Sequence, residues 1–258
     1  MKRIKLLAIL SLLLITGGQM MGQTRGAMYL GASFPMKDFA VFDGFNDFAL
    51  TTVDATQGGA GVGFNVGLKW YFNVGVEGLG VMLSLDGFFN GPNSDLKDSY
   101  RNNESAGGNP LVNGSFSYNA TPRYINVPAM LGLNYIYNLN PQFGVYVEAG
   151  AGVNLCFITE MESVSTTEVL GIETKVKTTQ KYDNAFSYVA YQAGAGIEVA
   201  KNLRIGCSFY SLGKCEAKGY KTVKTTTLND NVTKTDKDYC TYGTIQPMMI
   251  LGRIGFSF

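Results

Sequence analysis

Apolar and polar residues alternate along this chain in eight separate runs. The clearest run spans residues 59–72, where Val62, Phe64, Val66 and Leu68 fall on one side and glycine or polar residues fall on the other. A period of two residues is typical of a β-strand whose two faces meet different environments. The eight predicted strands span residues 27–34, 59–72, 81–90, 123–137, 143–157, 186–199, 203–212 and 245–258.

The connections between these predicted strands alternate in length. Four connections are long and polar, and they span residues 37–57, 91–120, 159–184 and 214–243. The three connections that alternate with them are short turns at residues 73–79, 138–142 and 200–202. Outer-membrane β-barrels have long extracellular loops and short periplasmic turns. A soluble β-sandwich also alternates apolar and polar residues, but it does not require every second loop to be long. The pattern predicts an all-β fold, an eight-stranded antiparallel up-and-down transmembrane β-barrel.

The face opposite the apolar one carries charged side chains of both signs. In a barrel of eight strands these residues point into a lumen just wide enough for side chains to fill, so bases and acids should pair there. Alternatively, Glu148 and Glu198 could act as the general acid and the general base of an enzyme. We favour the interpretation that the inward charges form a structural network. The inward charged residues are Lys69, Asp86, Glu148, Glu198, Arg204 and Arg253.

The N-terminal residues have the composition of a secretory signal. Lys2, Arg3 and Lys5 precede an apolar run from Leu6 to Ile15, which is too short to span a bilayer as a helix. We therefore expect residues 1–22 to be a signal peptide and residues 23–258 to be the barrel domain. Export without a spanning helix favours the bacterial outer membrane as the location.

The pattern of the C-terminal residues predicts a last barrel strand that ends in aromatic residues. Phe256 and Phe258 alternate with small or polar neighbours up to the final residue. We expect these two side chains to form the assembly signal that the barrel-assembly machinery recognises during insertion. The other expected partner is outer-membrane lipid.

Aromatic residues cluster near the predicted strand ends. Rings at the headgroup level of both leaflets are typical of membrane barrels, although aromatics also favour strands in general. The predicted periplasmic belt contains Trp70, Tyr71, Phe72, Tyr135, Tyr137, Phe256 and Phe258, and the predicted outer belt contains Phe34, Phe88, Phe89, Phe157, Phe186, Tyr188 and Phe209.

The composition excludes several classes of chemistry. The chain has no histidine, so it has no Ser-His or Cys-His nucleophile pair and no His-ligated zinc or haem. Its net charge is +1, which gives no electrostatic basis for binding nucleic acid. We expect no catalytic residues, no metal, no cofactor and no enzymatic activity.

Four cysteines remain to be explained: Cys156, Cys207, Cys215 and Cys240. Cys215 and Cys240 flank one long connection and could form a disulfide across it in an oxidising compartment. The alternative is four unpaired thiols.

The third and fourth long connections are rich in threonine and lysine. They contain residues 166–167, 178–179 and 221–227, in which these two residue types dominate. Threonine favours strands, so the connections read as β-hairpins that continue above the membrane. A ligand-facing surface is the other interpretation, and the sequence leaves both open.

The run Tyr124-Ile125-Asn126-Val127-Pro128-Ala129-Met130-Leu131-Gly132 resembles a strand motif of the Bacteroidetes-type outer-membrane β-barrel family, a porin-like group that includes PorT-like proteins. Ala193-Gly194-Ala195-Gly196-Ile197-Glu198 and Gly255-Phe256-Ser257-Phe258 look like the sixth and last strands of that family. The resemblance implies a barrel similar in shape to OmpX and the OmpA membrane domain. It carries over no catalytic or binding residues.

Three roles are compatible with these observations. The favoured one is a non-enzymatic structural or surface-interaction protein that acts through its long extracellular loops. A narrow channel for small solutes is the second, and an accessory role in a protein-secretion system, as the PorT-like resemblance implies, is the third.

Overall fold

The computed structural model describes residues 24–258 except 46–47, 49, 51–53, 106–107, 110–111, 170–171 and 228–231. The predicted signal peptide, residues 1–22, lies outside the described residues. Fourteen strands follow one another along the described part of the chain: β1 Thr24–Pro35, β2 Ala60–Asn73, β3 Leu79–Pro92, β4 Gly108–Asn109, β5 Val112–Ala120, β6 Tyr124–Asn138, β7 Phe143–Ile158, β8 Met161–Val169, β9 Ile172–Tyr182, β10 Ala185–Val199, β11 Leu203–Ser211, β12 Cys215–Thr227, β13 Val232–Ile245 and β14 Met248–Ser257.

Eight of these strands form a closed antiparallel barrel in the order β1-β14-β11-β10-β7-β6-β3-β2. The first and last strands pair directly, with Met28 opposite Phe256 and Leu30 opposite Ile254. This confirms the predicted eight-stranded barrel. The last barrel strand begins at Met248 rather than at residue 245, because Pro247 lacks the N–H that a continuous strand would need.

The inward and outward faces of the barrel follow the predicted alternation. On β2, Val62 and Phe64 are exposed, whereas Asn65 and Lys69 are buried. On β14, Ile254 is exposed and its neighbour Arg253 is buried. Exposed apolar residues on the outside and buried polar residues inside are what a lipid-embedded barrel requires.

The prediction of the aromatic belts is wrong at two positions. Tyr71 and Phe88 are buried inside the barrel, whereas Phe89, which follows Phe88, stacks with Phe64 on the outer surface with ring centroids 4.7 Å apart. Because side chains alternate across a strand, only every second aromatic near a strand end can reach the headgroups.

The long connections combine into a second sheet with the order β13-β12-β9-β8-β5-β4. The third and fourth connections form the hairpins β8–β9 and β12–β13, which confirms the hairpin interpretation. The two hairpins pair through β12 and β9, with Gly219 opposite Tyr182 and Thr227 opposite Thr174. The second connection contains a helix, α1 (Ser94–Ser105), and β5, which joins the sheet by pairing with β8. Among the described residues, no helix has the length and apolarity needed to cross a membrane.

An apolar cluster lies where the second sheet meets the barrel. Phe39, Phe48 and Leu50 from the first connection are fully buried there, together with Tyr124 at the start of β6 and Ile245 at the end of β13. The Tyr124 hydroxyl donates to the Gly58 carbonyl oxygen, and the backbone N–H of Thr244 donates to the Ala55 oxygen at 2.9 Å. The extracellular end of the barrel is therefore covered by packed side chains.

Candidate functional site

The centre of the lumen holds a cluster of paired charges built on four strands. Glu148 on β7 accepts from Lys69 on β2 and, at 2.7 Å, from Nη2 of Arg253 on β14. Arg253 Nη1 lies 3.6 Å from Asp86 Oδ1 on β3. All four side chains are almost completely buried. The structure thus brings together four of the six charged residues that the alternation placed inside.

The other two residues form a second cluster towards the periplasmic end. Arg204 on β11 donates through Nε to Glu198 Oε2 at 2.8 Å. Arg25 Nη1 also donates to both oxygens of Glu198, at 2.8 and 2.9 Å. Sequence reasoning missed Arg25, because the alternating pattern begins only after Gly26 and gave no signal for the first three residues of β1.

Four inward tyrosines link the two clusters. The Arg204 guanidinium lies 4.3 Å from the centre of the Tyr71 ring, and that of Arg253 lies 4.9 Å from the centre of the Tyr29 ring. The hydroxyls of Tyr29 and Tyr71 are 2.8 Å apart. Tyr210 donates to Asp86 Oδ2 at 3.0 Å, and the Arg204 guanidinium also lies 5.1 Å from the centre of the Tyr146 ring. Tyrosine supplies an apolar ring and a polar hydroxyl at once, so it fits a lumen that must be both packed and hydrogen-bonded.

The sequence comparison identifies the family to which this barrel is related. The chain matches the family of the outer membrane protein beta-barrel domain over residues 7–233, which is most of its length. It belongs to the outer-membrane β-barrel family. This chain is therefore a transmembrane protein of the bacterial outer membrane, as its closed barrel and apolar outer surface also indicate. The narrower Bacteroidetes-type, PorT-like assignment stays a prediction.

Solved structures that match this chain share little of its sequence. Ail, the attachment invasion locus protein of Yersinia pestis, is 16% identical, with 93% of this chain and 100% of that chain covered and a TM-score of 0.36. A major outer membrane protein from Thermus thermophilus is 10% identical, with coverages of 91% and 99% and a TM-score of 0.43. The outer membrane protein OprG from Pseudomonas aeruginosa is 14% identical, with coverages of 91% and 94% and a TM-score of 0.34. No curated protein matches the chain in sequence.

The chemistry that the lumen network supports is structural. The six predicted residues carry three positive and three negative charges, and Arg25 adds one further positive charge to the network. Glu148 and Glu198 each accept from two cationic side chains, so both carboxylates are held in place by ion pairs. Within the described part of the chain, no three His, Cys, Asp or Glu side chains gather as a metal site.

The aromatic residues of the predicted assembly signal lie on the outer surface. Phe256 and Phe258 are 57% and 79% exposed, near the periplasmic ends of β14 and β1. The backbone N–H of Phe258 donates to the Gly26 oxygen at 2.9 Å, so the end of β14 is tied to the start of β1. The recognition of these rings by the assembly machinery stays a prediction.

The strand register does not bring Cys215 and Cys240 together. Cys240 lies opposite Gly219, whereas Cys215 lies opposite Ile245. Four residues of β12 separate Cys215 from Gly219, which is roughly 13 Å of strand. A disulfide needs Cα atoms within about 7 Å, so this hairpin geometry does not allow the bridge that the spacing along the sequence suggested.

Cys215 instead meets Cys156, which points inward from β7. Both thiols are buried, and they lie close enough together to interact. Asn154 Nδ2 lies 3.8 Å from the Cys215 sulfur. A Cys156–Cys215 bond would link the barrel wall to the base of the second sheet.

We expect mild oxidation with oxidised glutathione to join Cys156 to Cys215. Each thiol would lose one proton, and the two electrons would reduce the glutathione disulfide to two thiols. Peptide mass spectrometry without reduction should find this pair in the wild type and in Cys240→Ser. Cys215→Ser should lack it, and a bridge between Cys215 and Cys240 would contradict the expectation.

Proposed function

We propose that this outer-membrane barrel is a non-enzymatic surface-interaction protein that contacts its partner through the extracellular sheet. The observation that supports the proposal most directly is the joining of three long connections into one six-stranded sheet. A barrel needs only tight turns to close, so an ordered sheet of this size outside the membrane requires another explanation. Residues that bind partners are found disproportionately on loops held by a rigid scaffold.

One face of the sheet combines lysine with threonine hydroxyls. Lys224 on β12 lies directly opposite Lys177 on β9, and Thr222 lies opposite Thr179 on the same face. Lys177 is paired with Glu162 at 2.8 Å. Lys224 is exposed, and no carboxylate of the described residues lies within ion-pair distance of it. Directly opposed like charges destabilise a sheet. Glu162 compensates the charge of Lys177, so Lys224 is the cation of this pair that an anionic partner can bind.

The same face offers aromatic surface beside its cations. The rings of Tyr220 and Tyr239 are 5.0 Å apart, and Lys237 Nζ lies 4.3 Å from the centre of the Tyr220 ring. Exposed tyrosines beside cations and hydroxyls fit a hydrogen-bonding, anionic polymer better than an apolar protein surface. We therefore propose an anionic polysaccharide as the class of partner.

The channel alternative has less support. The charged residues and tyrosines described above pack against one another in the centre of the lumen, and the apolar cluster around Phe39, Phe48 and Leu50 covers its extracellular end. Eight-stranded barrels are just wide enough for side chains to fill. A continuous path for solute would require several of these buried contacts to separate at once.

The proposal is tested by shortening the two central hairpins. One Asn-Gly turn replaces residues 164–177 and another replaces residues 223–236. The paired residues of each hairpin that lie next to the barrel, and the barrel itself, stay in place. Vesicles that carry the shortened protein should lose most of their binding to immobilised alginate, whereas wild-type vesicles should bind alginate more than neutral dextran. Heat-modifiable migration on a gel confirms that the shortened barrel has assembled.

A pair of single variants provides a matched control. Lys224→Glu reverses a charge on the lysine-threonine face, and Lys234→Glu makes the same change on the opposite face of the sheet, where Lys234 pairs with Asp236 at 3.2 Å. Only Lys224→Glu should weaken binding. Equal binding by the wild type, the shortened protein and both variants would refute a role for the sheet.

A further inference from the structure

A cavity of about 260 Å³ opens at the periplasmic end of the barrel. It lies below the second charged cluster, next to the short turns that connect β2 with β3 and β10 with β11. Its polar lining includes Arg25, Tyr71, Asn134, Glu198, Lys201 and Arg204. The cavity therefore lies at the opposite end of the molecule from the surface assigned above to the extracellular partner.

Three hydrogen-bond donors on this lining have no acceptor among the described residues. They are Nη2 of Arg25, Nη2 of Arg204 and Nδ2 of Asn134. Arg204 is fully buried and Asn134 is 3% exposed, so these two donors lie in the wall of the cavity and not on the outer surface of the protein. Buried polar groups are normally hydrogen-bonded, and a buried donor without a partner costs free energy. Three such donors around one cavity indicate an acceptor-rich occupant.

The charge balance at this end of the barrel favours an anion. Arg25, Lys201 and Arg204 contribute three positive charges, and Glu198 is the one carboxylate among the described residues that line the cavity. That carboxylate already accepts from both arginines through Arg25 Nη1 and Arg204 Nε. Each arginine thus uses one edge on Glu198 and keeps Nη2 for another acceptor. Hydrogen bonds from guanidinium groups to oxyanions are charge-assisted and therefore stronger than those between neutral groups.

We propose that this periplasmic cavity is a binding site for a small tetrahedral oxyanion of the phosphate class. Nη2 of Arg25 and of Arg204 would donate to two of its oxygens, and Asn134 Nδ2 would donate to a third. Lys201 adds long-range attraction at the cavity entrance. This site does not depend on the extracellular surface, so its test is independent of the one for the proposed function.

Two variants test the site without breaking the Arg204–Glu198 pair. Lys201 has a φ of 61°, in the left-handed region where asparagine is well tolerated, so Lys201→Asn removes the charge without straining the turn. Asn134→Leu keeps the size of the side chain and removes its donor. Lys181→Gln makes the same loss of charge on the extracellular sheet, where the Lys181 side chain is 69% exposed, and serves as the control.

The measurement is titration calorimetry of the assembled full-length barrel with inorganic phosphate and with acetate, in a detergent without phosphate groups. We expect the wild type to bind phosphate more tightly than acetate. Loss of one charged hydrogen bond or one nearby cation should weaken phosphate binding by roughly tenfold in Lys201→Asn and in Asn134→Leu. Lys181→Gln should bind as the wild type does.

Three results would overturn the site. The absence of measurable phosphate binding to the wild type would show that the cavity holds water only. Equal affinities in the wild type, Lys201→Asn and Asn134→Leu would place the anion elsewhere on the protein. Acetate binding as tight as phosphate binding would exclude a tetrahedral oxyanion as the class of ligand.

Discussion

Replacing Glu148 by glutamine should lower the free energy of unfolding by about 3–5 kcal/mol. Glu148 accepts from Lys69 and from Arg253 at 2.7 Å, and all three side chains are buried. Glutamine keeps the shape of the glutamate side chain and removes its charge. Lys69 and Arg253 then share Asp86 as their one nearby carboxylate among the described residues. Breaking a buried pair costs more than the pair contributes, because the remaining charge is desolvated without compensation. Urea titration of the assembled barrel, followed by heat-modifiable migration, measures the change.

Glu162→Gln is the matched control for this substitution. Glu162 pairs with Lys177 at 2.8 Å on the extracellular sheet, where the lysine side chain is 44% exposed. Ion pairs that remain in contact with water contribute about 0–1 kcal/mol, so this variant should unfold almost as the wild type does. Similar losses in the two variants would mean that water reaches the lumen network, and would return support to the channel interpretation.

The barrel strands could be predicted closely because the membrane imposes a strict pattern on them. Residues 143–157 were predicted as one strand, and β7 covers Phe143–Ile158. Lipid on one side and a packed polar lumen on the other force apolar and polar residues to alternate. The same pattern placed Glu148 and Arg253 inside, but it did not show that they touch. Their contact depends on closure of the barrel around residues 105 positions apart in sequence.

The extracellular sheet was predictable only in part, since neither of its faces is buried along most of its length. Thr222 and Val223 on β12 are both half-buried, so neighbouring residues of the strand carry no alternation that a sequence pattern could reveal. Register is weakly specified in strands that are polar on both faces. This explains why the hairpins were expected but the pairing of β5 with β8 was not. It also explains why the spacing of Cys215 and Cys240 suggested a bridge that the register does not allow.

Replacing Ala151 by arginine should lower the free energy of unfolding by about 2–4 kcal/mol. Ala151 is exposed on the outer face in the middle of β7, between Leu131 on β6 and Tyr191 on β10. A cation at this position would lie near the middle of the lipid core, where no acceptor or water compensates its charge. Urea titration of the protein in lipid bilayers measures the loss of unfolding free energy.

Two controls separate the charge of this arginine from its size and its depth. Ala151→Leu adds volume without charge and should leave stability nearly unchanged, because the side chain extends into lipid rather than into packed protein. Val145→Arg places the same cation on the same face of β7 but near its periplasmic end, where the cost falls to about 0–1 kcal/mol. Because both variants introduce the same arginine side chain, a large difference between them reports depth in the membrane. Equal losses at residues 145 and 151 would contradict the placement of Ala151 near the middle of the lipid core and of Val145 near the interface.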